Sequence, residues 1–257
     1  MITPWPSEAI WEQVYPLLPD FTVEVLPEID SSNSELMRRA RAGQYEATLL
    51  VAERQTAGRG RMGRVWESQP GGSLTFSISL SMAPRDWSGL SLAVGLSLAE
   101  SLHPGVRLKW PNDLWLEDRK LGGILVEAAS MAGRSQVVVG VGLNIRPRVA
   151  DGLNTAPAAL TELLPDLTAT ACLARVAFPL IQTLRTFEHD GFAPLQDRFA
   201  SRDVLKGRRV YTSDGQVGEA LGVGPSGALR LQTAAGLQEI HSAEISVRPF
   251  SVQDPRP

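Results

Sequence analysis

From Ser73 to Met82, apolar and hydroxyl residues alternate without a break. Leu74, Phe76, Ile78, Leu80 and Met82 face Ser73, Thr75, Ser77, Ser79 and Ser81. A period of two puts successive side chains on opposite faces, so this stretch predicts a strand with one apolar and one hydroxyl face. Thr22–Leu26 and Ala47–Ala52 read as strands, the second of them buried. Val106–Trp110, Leu114–Leu116, Lys120–Ala128 and Val137–Ile145 read as four more. The turns between them, at Pro111-Asn112-Asp113, Glu117-Asp118-Arg119 and Ala132-Gly133, are short, which implies antiparallel neighbours. Gly122-Gly123 and the pair Gly140 and Gly142 lie inside two of these strands. They predict a ligand or another backbone lying close.

The helical period appears between the strands. Ser7–Leu18 is a short helical segment broken by Pro16 and Pro19. Ser32 followed by Glu35 reads as a capping box, with Leu36, Met37 and Ala40 as the apolar face and Gly43 as the stop. Trp87–Leu102 carries Leu90, Val94, Leu98 and Leu102 on one side. Ala158–Leu164, Ala169–Asp190 and Pro194–Arg202 are helical too, with Pro179 a kink in the longest. Past Lys206 the pattern becomes short strands with Gly-containing turns: Val210–Thr212, Gly218–Val223, Ala228–Gln232 and Glu239–Val247. The reading is an α+β protein with a mixed, largely antiparallel sheet flanked by helices. Residues 1–203 form the main domain, with 1–20 a short extension, and residues 204–257 form a small β-barrel.

Composition narrows the function classes. Hydrophobic residues make up 43%, enough for a substantial core, and the net charge of −3 gives no global case for nucleic acid. One cysteine, Cys172, excludes an internal disulfide and fits a reducing compartment. With only three histidines, a dedicated zinc site is not expected. Neither a membrane span nor a basic-then-apolar leader is visible, so the expectation is a cytoplasmic protein with no membrane partner.

Against this acidic background, positive charge concentrates in ERQTAGRGRMGRVW, residues 53–66. Glycine lets backbone approach a ligand, and arginine grips phosphate or carboxylate with a planar fork of donors. Gly58, Gly60 and Gly63 match the spacing of a dinucleotide fingerprint. Pro70, Gly71 and Gly72 forbid the helix that fingerprint needs. An anion here must be held by arginine side chains and loop amides. The loop has few apolar anchors and is expected to be mobile without ligand. A second constellation, KWPND at 109–113 and KLGG at 120–123, places Lys120 beside room for a ligand. Asn112 and Asp113 are candidates for a base, a ribose or a metal, and equally for a plain turn. Ser31, Ser32 and Asn33 form a polar corner suited to a ligand contact.

Five motifs in order resemble the biotin–protein ligase family: DSSNSEL at 30–36, QTAGRGRMGRVW at 55–66, KWPNDLWL at 109–116, RKLGGILVE at 119–127 and VGVGLNI at 139–145. The C-terminal segment resembles that family's SH3-like domain, and the likeness spans about Phe21 to Phe250. Met62 stands where the family often has arginine. Bifunctional members carry an N-terminal DNA-binding domain, which the short stretch before Phe21 does not accommodate, so no repressor function is expected.

The resemblance implies the class II synthetase-like biotin ligase fold and a two-step reaction. Biotin and ATP give biotinyl-5′-AMP, and biotin then passes to a lysine of a biotin carboxyl carrier protein, a subunit of acetyl-CoA carboxylase. By that resemblance Lys120, Arg59 and Arg61 serve catalysis. Ser31, Ser32, Asn33, Gln55, Gly58, Gly60 and Gly123, with Arg59, Arg61 and Lys120, hold biotin. Arg64, Trp66, Asn112 and Asn144, with Arg59, Arg61 and Lys120, hold the nucleotide. Mg²⁺ accompanies ATP, with Asp113 the only metal candidate. Family members also pair as homodimers, and the strand Ser73–Met82 and those near Gly140 are expected to form such an interface. Rival readings are a lipoate or octanoate ligase or transferase of the same architecture, a basic-loop nucleic-acid binder, and a non-catalytic biotin sensor.

Overall fold

The side chains of Leu49 and Val51 join the main core while Leu50, between them, joins a smaller one. The same division separates Val137, Val139 and Val141 from Val138. Alternation of this kind is what a strand buried on both faces requires, and it divides the molecule into layers. The computed structural model describes residues 4–131, 133–148, 156–241 and 245–250.

The central sheet comprises β1 (Thr22–Ile29), β2 (Thr48–Gln55), β3 (Ser73–Ser81), β4 (Arg107–Lys109), β5 (Asp113–Leu116), β6 (Arg119–Met131) and β7 (Arg134–Asn144). Their order is β1-β2-β3-β7-β6-β5-β4. Only β1 and β2 run parallel. A parallel pair needs a crossover, and α2 (Ser32–Arg41) supplies it. The first turn of α2 therefore sits where β1 ends. The cleft described below opens there.

Leu36 and Met37 of α2 cover Leu50 and Val138, one face of the sheet. The main core lies on the other face and includes α3 (Leu90–Leu102) and α4 (Ala169–Asp190). The helix over Ala169–Asp190 has the expected bounds, runs through Pro179 and is capped by Thr168, whose hydroxyl accepts from Ala171 N–H. α1 (Ser7–Val14) and α5 (Gln196–Ala200) are short. Ala158–Leu164 does not form the expected helix, only a 3₁₀ turn over Leu160–Glu162. Pro157 and Pro165 bracket too few residues to nucleate a longer one.

Two further expectations change. The cap of α2 is Ser31, whose hydroxyl accepts from Ser34 N–H at 3.4 Å; Ser32 lies inside the helix. Glu35 instead pairs with Arg38 and Arg39. The strand Ser73–Met82 cannot provide a dimer edge, because β3 is flanked by β2 and β7, and β7 by β3 and β6. Its hydroxyl face is buried from Ser73 to Ser79, with Ser77 fully inaccessible, and only Ser81 at the end is exposed.

A second, five-stranded antiparallel sheet holds β8 (Arg209–Thr212), β9 (Val217–Val223), β10 (Leu229–Thr233), β11 (Gly236–Ile240) and β12 (Val247–Pro249), in the order β11-β10-β9-β8-β12. The stretch expected as one strand, Glu239–Val247, is the end of β11 and the start of β12, and residues 242–244 lie outside the described residues. So do Ala132 of the expected turn and residues 149–155 of the loop after β7. The two sheets meet at β4. Leu108 exchanges backbone hydrogen bonds with Arg202 and Val204, both 2.9 Å, and Trp110 Nε1 donates to Gly227 O at 3.0 Å.

Candidate active site

Residues 55–66 leave β2 and fold back as a small hairpin. Trp66 N–H donates to Gly58 O at 2.9 Å and Gly60 N–H to Arg64 O at 2.7 Å, with a 3₁₀ turn over Arg61–Gly63 at the tip. A side chain at Gly58 would put its Cβ 2.3 Å from Trp66 O, so the hairpin closes only with glycine there. Met62 sits at the tip with φ 57°, the left-handed region that a long side chain occupies at a cost of ~1 kcal/mol. An arginine at that position would carry the same cost.

Beneath the hairpin is a cleft of about 320 Å³. Ser31, Ser32, Asn33, Gln55, Arg59, Gly60, Arg61, Arg64, Trp66, Asn112, Asp113, Lys120 and Gly123 all line it. Gly58 and Asn144 do not. Gly58 serves the hairpin. Asn144 is buried behind Lys120, donating from Nδ2 to Ala158 O at 3.0 Å.

One end of the cleft is neutral and polar. Gln55 Oε1 accepts from Ser32 N–H at 2.8 Å, Ser32 Oγ lies 2.8 Å from Ser77 Oγ, and Ser77 Oγ donates to Asn33 Oδ1 at 2.6 Å. The glycines of β7 make room for this arrangement. A Cβ on Gly140 would lie 2.2 Å from Asn33 Oδ1, and one on Gly142 would lie 2.3 Å from the Trp66 ring. Side chains of the protein occupy the space that the sequence pattern attributes to a ligand or backbone. At Gly122 the expectation of a close backbone holds, since a Cβ there would meet Gly142 O at 2.7 Å.

The other end is cationic. Arg59, Arg61, Arg64, Lys109, Lys120, Arg148 and Arg248 line the cleft, and Asp113 is the single carboxylate among the described lining residues. Lys120 Nζ is 2.7 Å from Asp113 Oδ1. Arg61 donates to Asn112 Oδ1 at 2.7 Å and to Ile245 O at 3.3 Å; burial lowers its pKa. Lys109 is half-buried with its ammonium 4.7 Å from the centroid of the Trp115 ring, and desolvation brings its pKa down to about 8. Seven cationic side chains against one lining carboxylate leave an excess of positive charge, and in a partly dry cleft such an excess favours a polyanion. Among the described residues no group of three or more His, Cys, Asp or Glu comes together.

Ser77, Lys109, Arg148, Ser246 and Arg248 also line the cleft, and the sequence pattern assigns none of them to a ligand. The hydroxyl face of β3 announced Ser77, and the KWPND motif contains Lys109. Arg248 lies in β12 of the second sheet and Ser246 just before it, and no local signal connects them to a hairpin residue 182 positions earlier. Arg64 nevertheless donates to Ser246 Oγ at 3.1 Å.

A mixed-sheet domain with an arginine–glycine hairpin over a half-neutral, half-cationic cleft, backed by a small antiparallel sheet, defines a class of ligase folds. The model described as "Biotin/lipoate A/B protein ligase family" matches residues 26–144, and that described as "Biotin protein ligase C terminal domain" matches residues 209–248. The chain belongs to the biotin/lipoate protein ligase family. It is 36% identical to the bifunctional ligase/repressor BirA of Salmonella typhimurium over 92% of its own length and 78% of that protein's. It is 32% identical to the biotin–[acetyl-CoA-carboxylase] ligase of Paracoccus denitrificans, over 86% of its own length and 98% of the relative's. Its fold superposes on the biotin protein ligase of Aquifex aeolicus in complex with biotin and ATP with a TM-score of 0.75 at 29% identity, covering 89% of this chain and 99% of that one. Among the described residues no helix is long and apolar enough to cross a membrane.

Proposed function

We propose that this protein activates biotin with ATP and transfers it to a lysine of the carrier subunit of acetyl-CoA carboxylase. The observation that carries this reading is the juxtaposition, in one cleft, of a neutral hydrogen-bonding end with a cationic end around Lys120. A cyclic urea needs neutral donors and acceptors, and a carboxylate meeting a triphosphate needs positive charge. Two unit charges at contact repel by ~1 kcal/mol in water and several-fold more in a drier site.

In this reading Ser31, Ser32, Asn33 and Gln55 hold the ureido ring. Arg59, Gly60 and Arg61 enclose the carboxylate and the α-phosphate. A biotin carboxylate oxygen attacks the α-phosphorus, the bond to the bridging oxygen breaks, and pyrophosphate leaves. Lys120, released from Asp113 by the arriving anions, stabilises the charge that develops between them. Arg64, Trp66 and Asn112 serve the nucleotide side; Lys109 and Arg248 extend the positive wall. Mg²⁺ would be held by the phosphates and lower their charge, and Asp113 is the lining carboxylate that could assist it. The carrier's amine then attacks the acyl carbon and AMP departs.

Residues 1–203 are taken as the ligase domain and 204–257 as the accessory one, a division supported by the two separate sheets. Cytoplasmic residence belongs to the same reading, since ATP and the carrier are found there. The test is ATP–pyrophosphate exchange with biotin, with lipoate and with no acid. Exchange with biotin alone is expected. Exchange with lipoate instead would move the substrate to the rival branch of the family, and no exchange with either would refute adenylation.

A further inference from the structure

Asn33 donates from Nδ2 to Glu127 Oε2 at 3.0 Å and to Leu125 O at 3.3 Å. A carboxylate and a carbonyl only accept, so the amide orientation of Asn33 is fixed by its neighbours. Its Oδ1 must then accept, and it does so from Ser77 Oγ at 2.6 Å. Ser77 has a single hydroxyl hydrogen, and that is where it goes. The 2.8 Å contact between Ser77 and Ser32 is therefore a donation from Ser32. Ser32 Oγ also lies 3.2 Å from Gln55 Oε1, but its one hydrogen goes to the closer Ser77 Oγ, and the Ser32 backbone N–H serves Gln55 Oε1 at 2.8 Å. Every hydroxyl of the chain points toward Glu127. What Ser32 presents to the cleft is lone pairs alone.

We infer that Glu127 is a positioning residue that sets the polarity of this hydrogen-bond chain and so makes Ser32 an obligatory acceptor for a ligand N–H. This deepens the reading that the cleft takes biotin and rests on it. A cyclic urea offers two N–H donors, whereas a dithiolane acid of the lipoate kind offers none. Selection for a donor-bearing ring is strong when the alternative leaves a buried acceptor unpaired. Glu127 does not itself line the cleft but stands behind residues that do. Its second oxygen accepts from Arg59 at 2.9 Å, and Arg59 also donates to Ser34 Oγ at 3.1 Å. One carboxylate thus ties the neutral end of the cleft to the arginine hairpin, and the chain from Gln55 through Ser32, Ser77, Asn33 and Glu127 returns to Arg59, four residues after it began.

Removing the carboxylate leaves only the longer, 3.3 Å bond to Leu125 O holding the Asn33 amide, a hold weak enough for the amide to turn over. Nδ2 would then face Ser77, Ser77 would donate to Ser32, and Ser32 would have a hydrogen to offer the ligand instead of only lone pairs. The experiment is calorimetric binding of biotin and of its two mono-N-methyl ureido analogues. Wild type should reject at least one analogue by about tenfold or more, the scale of one unpaired buried acceptor. Glu127→Ala should shrink that ratio several-fold, and Glu127→Gln, which keeps an acceptor oxygen for Asn33, should restore it. Ser77→Ala breaks the chain without touching Glu127 or Arg59 and should shrink the ratio as well; it also serves if Glu127→Ala does not fold. A merely structural role would weaken biotin and analogue equally, so an unchanged ratio in the variants overturns the inference. Wild type that binds no biotin overturns instead the reading on which it rests.

Discussion

Asn33 Oδ1 fills the space that a side chain on Gly140 would claim, 2.2 Å from where its Cβ would stand. Strand β7 and the first turn of α2 can meet only because that position is glycine. Gly140→Ala must push Asn33 off the sheet, and with it the bond to Ser77. The expected result is a loss of biotin affinity of at least tenfold with the fold retained, read by calorimetry alongside circular dichroism. Unchanged affinity would show that Asn33 is dispensable to the pocket.

Lys120 pairs with Asp113 on the adjacent strand and is nearly half exposed, so in the ligand-free protein the pair adds ~1 kcal/mol or less to stability. Its work is expected when the two anions meet. Lys120→Ala should lower the rate of biotinyl-adenylate formation by two orders of magnitude or more while changing biotin affinity much less. Single-turnover adenylation and equilibrium binding, measured on the same preparation, separate the two. Equal losses in both would remove Lys120 from its proposed role.

Lys109 carries its charge at a cost. Its folded pKa of about 8 lies below the ordinary 10.5, because burial disfavours the ammonium. Below pH 8 both folded and unfolded chains are charged, and the full penalty falls on the folded state. Between 8 and 10.5 the unfolded chain binds the extra proton, so the penalty fades as pH rises. Lys109→Met should therefore raise the melting temperature of the ligand-free protein at pH 7, by an amount that shrinks toward pH 10, and should weaken ATP binding. Melting curves across that range check the sign; a variant less stable at pH 7 contradicts it.

Asp203 sits at the junction of the two sheets. Its Oδ1 accepts from Leu205 N–H at 2.8 Å, while its buried Oδ2 has no hydrogen-bond partner among the described residues. Burial raises its pKa from 3.8 to about 6. Above pH 6 the folded state must hold a charge that the unfolded state holds freely in water. Below pH 3.8 neither state is charged and the difference is gone. Asp203→Asn keeps the Leu205 bond and removes the charge, so it should stabilise the protein at pH 7.5 and do little at pH 4. Thermal denaturation at those two values is the measurement, and a lower melting temperature at pH 7.5 would count against it.

The hairpin over residues 58–66 is held by its own backbone bonds and by a few exposed side-chain contacts, such as Arg64 to Ser246. Segments with so few buried apolar anchors open cheaply. Hydrogen exchange at Gly60 and Trp66 should be fast in the ligand-free protein and slow by at least tenfold with biotinyl-adenylate bound. Equal protection in both states would mean that the hairpin is already as rigid as it becomes.

Much of this molecule is set by local pattern. Alternation in Ser73–Met82 fixes β3 as a strand, since a one-residue slip would put hydroxyls into the main core and turn Phe76 and Ile78 onto the buried polar face. The helix over Ala169–Asp190 follows from its spacing and its threonine cap. The glycines and arginines of residues 55–66, and Lys120 beside Gly123, are legible because an anion site demands those residue types wherever it lies. The sequence alone could not say which of two adjacent serines caps α2, because either hydroxyl satisfies the pattern; the packing of Ser32 against Ser77 leaves Ser31 for the cap. Nor could it say what the glycines of β7 accommodate, because a missing side chain records space and not its occupant. That Ser246 and Arg248 reach the cleft, and that Glu127 orients hydroxyls two strands and a helix away, depends on contacts between residues far apart in sequence. Such contacts leave no periodicity to read, because they are made only once the sheet, the helix and the second domain have been brought together.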